Sequence, residues 1–276
     1  MSEITCPVCF RHCRLKDGQL GFCRARRGEG GRSVCVNYGK VTSIALDPIE
    51  KKPLARFCPG SMILSVGSFG CNMDCPFCQN HSIACAGERS VEWRCLPPDE
   101  LADMADRLRP RGNIGAAYTY NEPMVGFEYV RDAARAVRAR GMKNVVVTNG
   151  AASLDALREV LPHVDAFNID LKGFADEWYR KLGGDLSAVR AFIEEAATSA
   201  HVELTALIVP GGNDSAEEMR QLSAWVASVD RGIPLHIARF FPRRAMLDQR
   251  PTDIAVLNNL ARIAAERLDT VLIGNV

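Results

Sequence analysis

From position 61 to 276 the chain alternates two hydrophobic rhythms. Short apolar runs at 62–66, 114–118, 144–148, 166–170, 202–209, 235–240 and 270–273 have the length of strands buried on both faces. Between them the apolar positions fall at helical spacing. Leu101, Met104, Ala105 and Leu108 follow i, i+3, i+4, i+7, and Leu257, Leu260, Ala261, Ala264 and Leu268 repeat the pattern. Ser215 and Glu218 form a capping box at the start of a further helix. Strands alternating with helices predict an α/β fold with a parallel sheet built from βα units. In such folds ligands bind at the C-terminal ends of the strands, so a polar residue just after a strand run counts towards function.

The first 60 residues read differently. Residues 1–33 are rich in Cys, Gly and Arg with little periodicity. At 34–60, Val34, Val36, Val41, Ile44 and Leu46 flank a turn at Tyr38-Gly39-Lys40, which predicts a β-hairpin. The two prolines of Asp47-Pro48-Ile49-Glu50-Lys51-Lys52-Pro53 then rule out a central strand. The expected division is a Cys-rich extension with a hairpin over 1–60 and a βα body over 61–276.

Composition narrows the setting. A chain of 276 residues, 47% hydrophobic, is long enough for one sizeable core. A formal net charge of +1 gives no overall field drawing it to nucleic acid or a membrane. No apolar run approaches the ~20 residues of a membrane span. Met1-Ser2-Glu3-Ile4-Thr5-Cys6 has no basic stretch leading into an apolar one, so no signal peptide is expected and the location expected is cytoplasmic. There, clustered cysteines bind metal more often than they pair. Six of the eleven cysteines lie before position 60 and none lies after Cys95.

The first βα strand runs into Gly70-Cys71-Asn72-Met73-Asp74-Cys75-Pro76-Phe77-Cys78-Gln79-Asn80. Thiolates spaced C-x3-C-x2-C on one loop can ligate three irons of a cubane and leave the fourth open to chelate the amino and carboxylate groups of S-adenosylmethionine (SAM). The alternative is a zinc knuckle. Against it stand the preceding strand, the aromatic Phe77 before the last cysteine, and the lack of a histidine within a few residues of the motif before His81. A second group, Cys6, Cys9, Cys13 and Cys23, has spacing C-x2-C-x3-C-x9-C. It suits a closed zinc site or a second cluster equally, and free thiols are the remaining alternative. Cys35, Cys58, Cys85 and Cys95 read as incidental thiols.

On these residues the chain resembles the radical SAM enzymes. The run Asp47–Leu54, Pro59-Gly60-Ser61 and Thr119-Tyr120-Asn121-Glu122-Pro123 resemble the radical SAM component of the AmmeMemoRadiSam system, itself similar to pyruvate formate-lyase activating enzymes. The resemblance implies an open partial (β/α)6 TIM-like barrel behind a small Cys-rich N-terminal extension. It implies a [4Fe-4S] cluster on Cys71, Cys75 and Cys78, with SAM cleaved reductively to methionine and a 5′-deoxyadenosyl radical that abstracts hydrogen from a substrate. The implied partners are a reductant such as flavodoxin or ferredoxin, and a protein substrate or companion proteins. A glycyl-radical activase is one alternative, and a non-catalytic metal-binding interaction protein is another of a different class.

The strand ends supply the other expected SAM contacts. Glu122 would pair with the SAM ammonium, although Tyr120 and Asn121 stand where relatives usually have two glycines. The competing role there is an N-cap from Asn121 for a helix starting at Pro123. Thr148 and Asn149 are placed for ribose hydroxyls, or form a plain Asn-Gly turn. Val147 stands where many activating enzymes have an acid. Asp170 and Lys172 share a side by alternation, and the resemblance assigns the lysine to the SAM carboxylate and the aspartate to the ribose side. It puts His236 near the ribose, against the alternative of a satisfied core histidine, and Phe77 with the cofactor. Alternation sets His236 and Ala238 on one face and Arg239 on the other. Tyr120, Arg239 and Met246 are candidates for touching substrate.

Overall fold

The computed structural model describes residues 3–276; Met1 and Ser2, which open the segment read for a signal peptide, lie outside the described residues. The body is one eight-stranded sheet. Its strands in chain order are β1 (Ser43–Pro48), β2 (Met62–Gly67), β3 (Asn113–Tyr118), β4 (Lys143–Thr148), β5 (Ala166–Asp170), β6 (His201–Ile208), β7 (Leu235–Arg239) and β8 (Val271–Gly274). Spatial order equals chain order, and β1 and β8 are the two edge strands. Strands β2 to β8 are parallel, and β1 runs antiparallel to β2. The principal helices are α1 (Pro98–Arg107), α2 (Phe127–Ala139), α3 (Leu154–Val160), α4 (Leu186–Ala197), α5 (Ala216–Asp230) and α6 (Ile254–Ala265). Each follows one of β2 to β7, which gives the open (β/α)6 partial barrel, lengthened by β8.

Alternation decides what each strand shows to either side. Leu64, Val66, Ala116, Tyr118, Val146, Phe167, Ile169, Leu204 and Ile237 join the helices in one buried core. The helices start where the sequence offers caps. Ser153, Asp185, Ser215 and Asp253 each accept a first-turn N–H through the side chain, worth typically ~1 kcal/mol apiece.

The other face of the sheet holds a smaller core of Ile63, Ala117, Val145 and Ala166, which Ile49 and Leu54 complete. Residues 49–57 therefore run through the barrel interior. Asn168 donates to Pro53 O at 2.9 Å, and the N–H groups of Ala55 and Arg56 donate to Glu203 at 3.0 and 2.7 Å. The prolines exclude this run from a central strand, as expected, and its backbone groups are satisfied by buried side chains instead.

The expected hairpin at 34–60 does not form. A turn is present, with Lys40 N donating to Asn37 O at 3.1 Å and Gly39 at φ 65°. Its arms pair elsewhere, however. Arg32–Cys35 pairs with Arg26–Glu29, Lys40–Val41 with Arg94–Cys95, and β1 with β2. Ile44 and Leu46 gain more by joining a six-residue pairing at the edge of a large sheet than a lone ribbon would offer.

Candidate functional site

The C-x3-C-x2-C loop leaves β2 at the C-terminal mouth of the barrel and is fixed mostly through its backbone. Arg11 donates to Asn72 O at 2.6 Å and to Gly183 O at 2.6 Å. Arg244, on the loop after β7, donates to Cys75 O at 2.8 Å and pairs with Asp74 at 2.6 Å. Asp74 N donates to Leu182 O and Ala245 N to Pro76 O, both at 2.9 Å. Gly70 has φ +91°, and a Cβ there would lie 2.4 Å from Cys23 O, so only glycine lets the N-terminal extension close on this loop. With its carbonyls tied down, the loop carries Cys71, Cys75 and Cys78 on one short segment at the mouth.

The donor set fits an iron–sulfur cluster. Met73 N–H donates to Cys71 Sγ at 3.4 Å and Asn149 Nδ2 lies 3.6 Å from the same sulfur. Burial pushes the Cys75 thiol up to about 11 and Cys71 well above its usual value, partly offset at Cys75 by the Lys172 charge. Iron, as a cation, favours the thiolate that burial disfavours. His81 turns Nδ1 to Cys78 O at 3.1 Å, which engages the ring with backbone rather than with the sulfurs. Among the described residues no three Cys, His, Asp or Glu side chains already converge on one ion, here or at the N-terminal cysteines.

Glu122 is 4% exposed. Its carboxylate accepts from Met124 N at 3.0 Å, Thr148 Oγ1 at 2.7 Å and Asn149 N at 2.8 Å. Glu122 itself, not Asn121, caps the 3₁₀ turn Pro123–Gly126. Asn121 instead donates to Phe69 O and Gly70 O and accepts from Ser68 N. A carboxylate with three donors still has room for a fourth. No Lys or Arg among the described residues forms an ion pair with it, and burial lifts it to about 7. A ligand ammonium is the partner such a group lacks. Thr148 and Asn149 spend their side chains on protein. Thr148 holds Glu122, while Asn149 donates to Asn72 Oδ1 at 2.8 Å and accepts from Ala151 N at 2.9 Å.

Asp170 and Lys172 form an ion pair at 2.7 Å, with the lysine nearly buried. Against burial, which lowers it, the Asp170 charge and Cys75 hold the Lys172 ammonium above its usual range. The pair lies within electrostatic reach of Cys75, and Asp170 within that of Glu122. In register, Asp170 pairs with Thr205 and Thr205 with His236, so these three form one row across the inner face. His236 Nε2 lies 2.6 Å from Glu203 Oε2, and His201 Nε2 lies 3.0 Å from Oε1. Phe77 is buried, stacked on Trp178 and edge-on to Phe240.

Of the candidate substrate contacts, Tyr120 has φ 73° and donates to Asp47 at 2.7 Å, Arg239 donates to Thr252 O at 2.8 Å, and Met246 packs against the core. Four supporting residues escaped the sequence reading. Glu203 had a signal, a charge between Val202 and Leu204 in an apolar run. Asn72 sat inside the motif unremarked. Arg11 and Arg244 had none, because their partners lie 61 and 170 positions away.

The family model for the radical SAM superfamily matches residues 65–226. An uncharacterised protein of Methanocaldococcus jannaschii is 38% identical over all of this chain and 82% of its own length. A domain of the pyruvate-formate lyase-activating enzyme of Bacteroides vulgatus superposes with a TM-score of 0.51 at 17% identity, over 58% of this chain and 99% of that one. Streptococcus suis SuiB bound to precursor peptide SuiA gives a TM-score of 0.59 at 13% identity, over 74% of this chain. The chain spans under half, 46%, of SuiB's length. These two structures show the shared fold.

Proposed function

Because the chain belongs to the radical SAM superfamily, whose chemistry is SAM-dependent, we propose that Cys71, Cys75 and Cys78 hold its [4Fe-4S] cluster and that the mouth around them is the SAM site. When bound, the cluster supplies an electron to the SAM sulfonium, dividing SAM into methionine and a 5′-deoxyadenosyl radical that takes hydrogen from substrate. Glu122 receives the SAM ammonium on its remaining acceptor position, and Lys172 receives the carboxylate through a charge-assisted hydrogen bond. Asp170 and His236 face the ribose from the row they share with Thr205, and Phe77 packs against the cofactor. Thr148 and Asn149 act through Glu122, which they orient. The observation carrying this reading is the buried Glu122 carboxylate, uncompensated by any cation among the described residues, on the same mouth as the three-cysteine loop.

The substrate enters at the strand C-termini, since residues 49–57 fill the interior nearer the strand starts. The open sheet leaves room for a large substrate, a protein side chain or a small molecule delivered with companion proteins, and an external reductant of the flavodoxin or ferredoxin class supplies electrons. A glycyl-radical activase uses the same cofactor site, and the fold shared with an activating enzyme favours it as second reading. A purely metal-binding module has no use for an uncompensated buried carboxylate.

The test is anaerobic reconstitution followed by dithionite-dependent SAM cleavage. The protein yields 5′-deoxyadenosine, and the Cys71/Cys75/Cys78→Ala variant does not. Product above background from that variant overturns the proposal.

A further inference from the structure

The geometry points to a second metal centre, closed by the thiolates of Cys6, Cys9, Cys13 and Cys23, whose occupancy holds the cluster loop in place. The metal centre itself goes beyond the SAM reading and is tested apart from it; its effect on the cluster loop rests on that reading. All four are free thiols; Cys6, Cys9 and Cys23 are buried and Cys13 half-buried. Cys6, Cys9 and Cys13 lie on one short stretch of chain, and Cys23 comes near Cys6 and Cys9. Cys6 N donates to Cys13 O at 2.8 Å, and the turn between Cys9 and Cys13 is tight, with His12 at φ 43°. Cys9 lies within electrostatic reach of Cys6 and Cys13, and Cys23 within that of Cys9 and Cys6.

Backbone N–H groups are aimed at these sulfurs as they are at the cluster cysteines. Arg11 N–H points at Cys9, and Ala25 and Arg26 N–H at Cys23. The same two-residue offset recurs at Cys71 from Met73 and at Cys78 from Asn80. Such donors only partly offset the burial that disfavours the thiolate at both cysteines, and a bound cation supplies the rest. Rotation about χ1 is the freedom that brings the sulfurs to a common metal.

The extension needs a tether. Its strands are three or four residues long. Its cores are Cys6, Val8 and Leu15 in one place, and Cys23, Ala25 and Val125 in another. Cysteines make up much of both. A segment with so little apolar burial is what a structural metal stabilises.

The same cysteines touch the cluster loop. Cys9 Sγ hydrogen-bonds the side chain of Asn72, which is fully buried. Asn72 Oδ1 accepts from Asn149 Nδ2, itself 3.6 Å from Cys71 Sγ. Arg11, between Cys9 and Cys13 in sequence, clamps Asn72 O and Gly183 O. Cys23 O sits against Gly70. Metal at Cys9 and Cys23 thus fixes two points of the loop that carries Cys71. The ligand chemistry is a closed set of four thiolates, which a zinc ion or a second iron–sulfur cluster shares.

The experiment uses the full chain purified anaerobically and analysed for zinc, iron and sulfide. The Cys71/Cys75/Cys78→Ala variant retains one metal centre, zinc or iron with sulfide, and the analysis tells which. In Cys9→Ser/Cys23→Ser that centre is lost. The remaining cluster then holds iron against a chelator about 10- to 100-fold less well, the usual cost of removing outer support from a metal site. A metal-free Cys71/Cys75/Cys78→Ala variant overturns the proposal, as does undiminished metal in the Cys9/Cys23 variant. The first of these measurements holds even if the second variant fails to fold.

Discussion

At the scale of single residues, Lys172 carries the sharpest consequence. Among the described residues its ammonium is paired with Asp170 alone, at 2.7 Å and two positions back at the same strand end, so the pair ties β5 to no other described strand. A charge-assisted hydrogen bond to the SAM carboxylate contributes typically ~1.5–3 kcal/mol. Lys172→Met keeps most of the length and removes the charge. It is expected to weaken SAM binding roughly ten- to a hundredfold, because ~1.4 kcal/mol is a factor of ten. Asp170→Asn acts in the same direction and less, since the amide still presents an oxygen. Equilibrium SAM binding and melting temperature, measured on the same preparations, decide the matter. Unchanged affinity with a lowered melting point assigns the pair to the scaffold.

At the scale of elements, residues 49–57 and β6 are joined by one buried carboxylate. Glu203 is fully buried and accepts from Ala55 N, Arg56 N, His201 and His236. These hydrogen bonds outweigh desolvation and hold it at about 2. A folded-state value below the unfolded one, ~4.3 for glutamate, means that this stabilisation is complete above the unfolded value. It is lost as pH falls through about 2. Glu203→Gln is expected to lower the melting temperature at neutral pH, with ~1–3 kcal/mol lost for each buried donor left unpaired. It should also flatten the acid dependence of stability between those two values. Thermal melts of both proteins across that pH range check this, and parallel acid limbs would remove Glu203 from the account.

At the scale of the whole molecule, scaffold and chemistry are separable. The cluster loop is held by backbone bonds to Leu182 and Ala245 and by the side chains of Arg11 and Arg244, none of which needs the sulfurs of Cys71, Cys75 or Cys78. The Cys71/Cys75/Cys78→Ala variant is therefore expected to keep its circular dichroism spectrum and to melt close to the parent lacking only this cluster, while losing all SAM cleavage. A cooperative loss of fold would show that the loop depends on its sulfurs. No helix among the described residues is long and apolar enough to cross a membrane.

The sequence by itself determined the βα body, the three-cysteine loop and its place. Buried parallel strands must be apolar along their length, and loops at strand ends must be short, so both leave local signals. Ala166–Asp170 is the strand its apolar run marked, and Ser215 caps the helix its capping box announced. Only the tertiary structure decided where the arms of the Tyr38-Gly39-Lys40 turn pair, because local pattern ranks strands and not partners. It alone showed that residues 49–57 fill the barrel and that Glu122, Thr148 and Asn149 are one hydrogen-bonded unit. It alone brought Arg11 and Arg244 onto the cluster loop from 61 and 170 positions away. Such contacts are fixed by packing between distant segments, and a polar side chain carries no mark of the distant carbonyl it will meet.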